Sequence, residues 1–289
     1  KVVAVTGFTV SSCGIAGSSV AEGSKIPFVA AATVNPKVTV DGNTGKVKNY
    51  TFRACFIDSF QGAVGAQFAL NSLKAKKVSI LTDSSSDYSK GLTQIFKDSF
   101  TKNGGQIVGE EAYLQKDQDF KPVLTKLKSQ NADVLYIPGY YEDVGKIIKQ
   151  ARELGMNMPI LGSDAWDSPK LAEIGGPQAL NNTYFTNFYS IEDRNPVSNA
   201  FVEAYKKEYG EVPDSMAAMG YDAARLLVDA IKRANSTDAA KITKALAETK
   251  DFASVSGPMS LNDTHDAVRG VVIVEMKDGK QVYKETIKP

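Results

Sequence analysis

Four side chains near the middle of the sequence can do binding chemistry together: the phenols of Tyr140 and Tyr141, the carboxylate of Asp164 and the indole of Trp166. They belong to the stretch Val134 to Trp166, VLYIPGYYEDVGKIIKQARELGMNMPILGSDAW. Val134 to Ile137 is a short apolar run that reads as a strand. Glu142 and Asp143 open a helix, where negative charge suits the N-terminal end. Val144, Ile147, Ile148, Ala151 and Leu154 recur at helical spacing, and Gly155 is a natural stop. Pro159 to Leu161 starts the next strand. Both strands of such a unit run the same way, so the four side chains emerge at one sheet edge. Open α/β sheets place ligands beyond the carboxyl ends of their strands. Two phenols, a carboxylate and an indole suit a small cation-bearing molecule. Taken singly, each is equally an ordinary loop residue.

Other strand ends add to this set. Ser11 and Ser12 follow the first strand, where hydroxyls and backbone amides near a helix start hold an anion such as a carboxylate. Simple helix capping accounts for the two serines equally well. The backbone of Ala32 and Val34 follows the second strand, and Tyr88 follows a strand at 77–81. An anion holder in one place and an anionic Asp164 in another suit a zwitterion, for instance an α-amino acid. The picture is carboxylate to Ser11, ammonium to Asp164, and aromatic walls from Tyr88, Tyr140 and Trp166.

Catalytic signatures are missing. The sequence has no Gly-x-Ser-x-Gly elbow, no phosphate loop ending in Gly-Lys-Ser/Thr and no Gly-x-Gly-x-x-Gly. The single histidine, His265, lies in the polar turn NDTHDA and reads as a surface residue without metal partners. Cys13 and Cys55 are too few for a disulfide framework or a cysteine zinc site, and their spacing leaves open whether they pair. No metal or other cofactor is expected, and the reading is non-enzymatic. With 34 basic and 33 acidic residues, nothing favours nucleic acid or a membrane surface as partner. No apolar run approaches membrane-span length. The chain enters from Lys1 straight into the strand-like VVAVTG, without a signal segment, which is the expectation for a mature, trimmed or truncated product.

The elements that must position these residues follow a regular rhythm between about 58 and 188. A helix from Asp58 or Ser59, strand 77–81, a helix with Leu92, Ile95, Phe96 and Phe100, strand 106–108 and a helix with Phe120, Val123, Leu124 and Leu127 alternate with short connections. This predicts a parallel, doubly wound sheet. Before it, strands at Val2–Val5 and Ile26–Ala31 flank a helix at 16–24, and Tyr50–Ile57 is extended. After strand 183–188 come three helices: one after Asn195-Pro196, a long one from Asp214 or Ser215 through Tyr221, Ala224, Leu227, Val228 and Ile231, and one capped by Thr237. A hairpin closes the chain, 271–276 and 281–285 about a Lys-Asp-Gly-Lys turn. Residues 1–57 and 189–269 are predicted to join as one lobe, with 58–188 and 270–289 as the other. Such lobes form a hinge with a ligand cleft between them.

The segments IPFVAAATVNPKVT, YTFRACFIDSFQGAVGAQFA, DVLYIPGYYEDVGKIIKQARELG, PILGSDAW and MGYDAARLLVDAI resemble the branched-chain amino acid binding proteins, solute receptors of ABC importers. The likeness runs over essentially the whole chain. It implies an α/β, two-lobed type I periplasmic-binding-protein fold, each lobe a doubly wound, mostly parallel sheet, with a hinge of crossover segments. It also implies an extracytoplasmic receptor, in the periplasm or anchored at the cell surface as a lipoprotein, that closes on a small amino acid and hands it to a membrane permease. By resemblance a carboxylate-binding serine falls on Ser11, positions that bind carboxylate and ammonium on Ala32 and Val34, a tyrosine of the amino-acid clamp on Tyr140, its acidic residue on Asp164, and a cleft tyrosine on Tyr88. The family chain begins with two more β-α units before the segment that starts at Lys1, so the first lobe is expected to be incomplete at its N-terminus. Val34 stands where the family has a hydroxyl residue, which leaves open an altered or engineered ligand preference. The rival readings are a sensor domain on the same fold, an enzyme of the doubly wound type, and a fragment that binds nothing until completed.

Overall fold

In the computed structural model, residues 2–192 and 195–288 are described. The chain runs β1 (Val5–Gly7), α1 (Ser11–Ser24), β2 (Phe28–Ala30), β3 (Thr51–Arg53), α2 (Asp58–Asn71), β4 (Lys77–Asp83), α3 (Asp87–Lys102) and β5 (Gln106–Tyr113). It continues with α4 (Lys121–Ser129), β6 (Val134–Tyr136), α5 (Tyr141–Glu153), β7 (Ile160–Gly162), α6 (Pro169–Gly175) and β8 (Thr183–Asn187). Three helices follow, α7 (Pro196–Tyr209), α8 (Ser215–Ala234) and α9 (Ala239–Ala247). The strands β9 (Phe252–Ser254), β10 (Gly257–Leu261), β11 (Ala267–Val268), β12 (Val271–Lys277) and β13 (Lys280–Ile287) complete it. Two units emerge, one from Lys1–Ile57, Phe188–Gly270 and Lys288–Pro289, the other from Asp58–Asn187 and Val271–Ile287.

The second unit is built on one seven-stranded sheet in the order β13-β12-β8-β7-β6-β4-β5. From β5 to β8 the strands are parallel, and β12 and β13 are added antiparallel. Successive side chains of a strand face opposite ways, and β6 shows why helices must cover both faces. Leu135 and Ile137 join Val144, Ile147 and Ile148 of α5 and Leu124 of α4 in one core. Tyr136, between them, stacks on Phe96 of α3 at 3.9 Å. The β12–β13 hairpin turns on Asp278 and Gly279, both with positive φ (49° and 76°), as the tight Asp-Gly turn requires.

The first unit holds a parallel sheet β1-β2-β3 and a small antiparallel one, β11-β10-β9. The sequence reading contained no strand between 252 and 268; these three are short, and β11 has two residues. The long helix α8 turns inward a face that only partly matches its apolar spacing: Leu227 is buried as that spacing predicts, but Tyr221, Ala224 and Val228 are exposed. Ala218, Met219, Asp222, Ala223, Leu226 and Ala230 are buried with Leu227. Asp222 sits in the interior because it accepts from the Val255 amide (2.9 Å) and lies 3.7 Å from the buried Arg269. Caps follow local chemistry: Asn195 accepts from Val197 and Ser198, Asp214 from Ala217. At α9 the cap is Asp238, not Thr237, accepting from Lys241. His265 is no surface residue: it is half-buried, stacks on Phe52 at 4.0 Å and donates from Nδ1 to the Thr51 carbonyl. Cys13 is exposed on α1 and Cys55 is buried, with no disulfide joining them.

Candidate functional site

Within the second unit, the strand ends bring Tyr88, Tyr140 and Asp164 together. Asp164 opens a 3-10 turn directly after β7 and is 2% exposed. Tyr88, in the first turn of α3, donates its phenol to Asp164 Oδ1 at 2.6 Å. Its ring lies 5.4 Å from that of Tyr140, the residue preceding α5. A third group, absent from the sequence reading, completes the cluster. Gln61, one turn into α2, donates from Nε2 to Asp164 Oδ1 (2.6 Å) and to Thr186 Oγ1 of β8 (2.7 Å). Among the described residues no lysine or arginine pairs with Asp164. Its only signal in the sequence is a glutamine three residues after the first acid of α2.

Burial governs the electrostatics. Loss of solvent pushes the Asp164 carboxyl up to about 6, against the opposing pull of the hydrogen bonds from Tyr88 and Gln61. Burial also drives Tyr88 well above the ordinary phenol range and Tyr140 up to about 12, so both keep their protons. The Asp164 value in the folded chain lies above its unfolded value. The ionised carboxylate therefore destabilises the unit above pH about 6, and that penalty is relieved as pH falls toward the unfolded value. A cation needs the ionised form, so its affinity falls by up to about tenfold per pH unit below the folded pKa. Calorimetric titration at pH 7, 6 and 5 checks this; a flat profile removes Asp164 from the cation site.

Trp166 is a correction. Its indole is fully buried in the core and donates Nε1–H to the Ile137 carbonyl at 3.2 Å. It lies over Gly162, where a Cβ would come within 2.0 Å of the ring. The indole thus shapes the end of β7 from within and is no aromatic wall. Tyr141, half-buried, packs on the same core beside α5.

In the first unit, Ser11 is the first residue of α1 and is 2% exposed, with its hydroxyl lacking a hydrogen-bond partner. No side chain caps this helix, so neither serine serves as its cap, and Ser12 points outward. The loop after β2 runs against the same end of α1. A Cβ at Gly14 would meet Thr33 Cγ2 at 2.7 Å, so glycine permits this close approach. Thr33, missed in the sequence reading, contributes a second buried hydroxyl without a partner. Ala32 and Val34 flank it and are buried; the Ala32 amide is already engaged by the Phe8 carbonyl at 3.2 Å. The loop is held by Arg53, which donates to the carbonyls of Thr33 and Asn35, both at 2.9 Å, and pairs through Nε with Asp266 at 2.7 Å.

Residues 1–281 match the family of periplasmic binding proteins. The chain belongs to the periplasmic binding protein family. A Leu/Ile/Val-binding protein homolog 3 from Brucella melitensis is 32% identical over 255 residues, 87% of this chain and 68% of that protein. An amino acid binding protein from Pseudomonas aeruginosa is 30% identical, covering 85% of this chain and 64% of its own length. The match thus spans about two-thirds of these relatives. Among solved structures of the family, a leucine binding protein LivK from Thermotoga maritima has a TM-score of 0.94 and 40% identity, over 99% of this chain and 80% of that one. A branched-chain amino acid transporter substrate binding protein LivJ from Streptococcus pneumoniae, in complex with isoleucine, has a TM-score of 0.90 and 33% identity, over 99% of this chain and 80% of that one. These neighbours share the α/β periplasmic-binding-protein fold with this chain.

Proposed function

We propose that this protein is an extracytoplasmic, non-enzymatic receptor for a branched-chain α-amino acid, which it delivers to an ABC importer. Asp164 carries this reading: a buried carboxylate that accepts from a phenol and an amide, with no lysine or arginine paired to it among the described residues, supplies the counter-charge for an ammonium. Within the first unit, the buried, unpartnered hydroxyls of Ser11 and Thr33 at the first turn of α1 suit a carboxylate. Support also comes from the names and ligands of the relatives, Leu/Ile/Val-binding and isoleucine-bound. A sensor role without transport is not favoured by them.

A thermal-shift screen against the twenty amino acids tests the reading, since a ligand bound only by the native state raises its stability by about 2.7 kcal/mol at a hundred times Kd. Benzoate and 4-hydroxybenzoate belong in the screen, because more distant solved relatives hold them. Leucine, isoleucine or valine is expected to raise Tm, and the benzoates, which lack a cation for Asp164, are not. A response to the benzoates alone overturns the proposal. Val34→Thr adds a hydroxyl at a buried loop position and is expected to tighten leucine binding by about tenfold, the size of one hydrogen bond to a charged group. An unchanged Kd in a calorimetric titration indicates that position 34 makes no polar contact with the ligand.

A further inference from the structure

Gln61 carries more than a supporting contact. Its amide nitrogen makes two short hydrogen bonds, to Asp164 and Thr186, and these consume both of its hydrogens. The oxygen of the same amide, Oε1, is buried and has no hydrogen-bond partner. The assignment of the two amide atoms follows from their neighbours: reversing them would set an acceptor against the Asp164 oxygen. The result is a buried acceptor with an unmet need, fixed on the amide that grips the counter-charge. A buried acceptor left without a donor is destabilising, so an N–H supplied by the ligand has an advantage there. Carboxylate and amide oxygen together ask for two N–H groups from one nitrogen.

We propose that Gln61 is a positioning and specificity-determining residue of the ammonium site: it holds Asp164 by donation and reads a second N–H of the ligand through Oε1, so that the site selects amines whose protonated nitrogen keeps at least two N–H groups. This rests on the amino-acid reading above. The titratable groups facing Asp164 are Tyr88 from α3, Tyr140 before α5, Tyr136 from β6, and the carboxylates of Asp58 and Asp167. The three phenols are all raised, so none of them loses its proton in the range where Asp164 titrates.

The test titrates L-leucine and N,N-dimethyl-L-leucine, whose protonated nitrogen has a single N–H, into the wild-type chain and into Gln61→Met, which keeps the length and apolar body of the side chain but neither donates nor accepts as an amide. The wild type is expected to prefer leucine by about tenfold or more, one hydrogen bond to a charged group. In Gln61→Met the preference is expected to shrink to about threefold or less as leucine affinity falls, and the pH midpoint of leucine binding is expected to move upward because the carboxylate loses a donor. A role confined to packing lowers Tm without moving that midpoint. A preference or a midpoint that stays put in Gln61→Met overturns the proposal; an unmoved preference means the methyl groups are excluded by shape alone. If Gln61→Met does not fold, Gln61→Glu decides: two neighbouring carboxylates share a proton, and the midpoint is expected to rise by about one unit or more, an unmoved midpoint again overturning the proposal. Failure of the wild type to bind leucine at all defeats the amino-acid reading instead, and is recognised before any variant is made.

Discussion

Asp164→Asn is expected to abolish tight binding of leucine, the ligand proposed above, while leaving the fold at least as stable. The change keeps shape and removes one charge. Tyr88 and Gln61 still have an oxygen to donate to, so the local hydrogen bonds at 2.6 Å survive. What disappears is the counter-charge for the ligand's ammonium. Truncating one member of a buried, hydrogen-bonded charge pair costs about 2–5 kcal/mol, or roughly thirtyfold to several thousandfold in Kd. The free protein moves the other way. Its ionised carboxylate is disfavoured by burial, as the carboxyl raised to about 6 records, and asparagine relieves that penalty at pH 7. Calorimetry and thermal unfolding of the same sample read both signs together. An unchanged Kd sinks the ammonium assignment; a lost Kd accompanied by a falling Tm shows a folding defect rather than a binding one.

Arg53→Met has the second large effect, on stability. Arg53 is fully buried in the first unit. It pairs with Asp266 and donates to the carbonyls of Thr33 and Asn35 and to Thr39 Oγ1. Removing it strands Asp266, which then keeps only the hydroxyl donors Thr39 and Thr264 and its own loop contacts. Breaking a buried pair from one side costs about 3–5 kcal/mol. Hydrogen exchange at the amides of β2 and β3 measures it, because local opening reports the free energy of that part of the chain. The double variant Arg53→Met with Asp266→Leu is expected to lose less than the two single losses summed, since the pair is removed whole. A loss under about 1 kcal/mol in Arg53→Met contradicts the buried-pair account.

Much of this was legible before the structure. Between Asp58 and Asn187, apolar spacing and short connections fixed element type because α3, α4 and α5 each have one dominant inward stripe, such as Leu92, Phe96 and Phe100 of α3. The strand-end rule found Tyr88, Tyr140 and Asp164, since a parallel sheet delivers its loops to one edge. Where a charge lies inside, the same reasoning fails in part: Asp222 in α8 is buried, while Tyr221 and Val228, which the spacing turned inward, are exposed. Residue type alone misled at Trp166, because nothing in the sequence shows that Gly162 leaves room for an indole beneath the sheet end. Gln61 escaped for a related reason. A glutamine near a helix start reads as surface, and only the packing of α2 beside β7 and β8 turns it inward.

The seven-stranded sheet has an outcome for the order in which the chain can fold. The free side of β8 is paired by β12, yet the whole stretch Phe188–Gly270 is threaded into the other unit before β12 is reached. Emerging from a ribosome or a translocation pore, the chain therefore carries β4 to β8 with a second edge open besides that of β5, at Thr183 to Asn187, until Val271–Lys277 arrives. An open edge of that kind templates strand pairing with other chains. Joining it across so long an intervening segment is a slow, non-local step. The interval between synthesis of β8 and of β12 is thus the period in which a holdase has the most to protect, and chains stalled between Phe188 and Gly270 are the ones expected to aggregate.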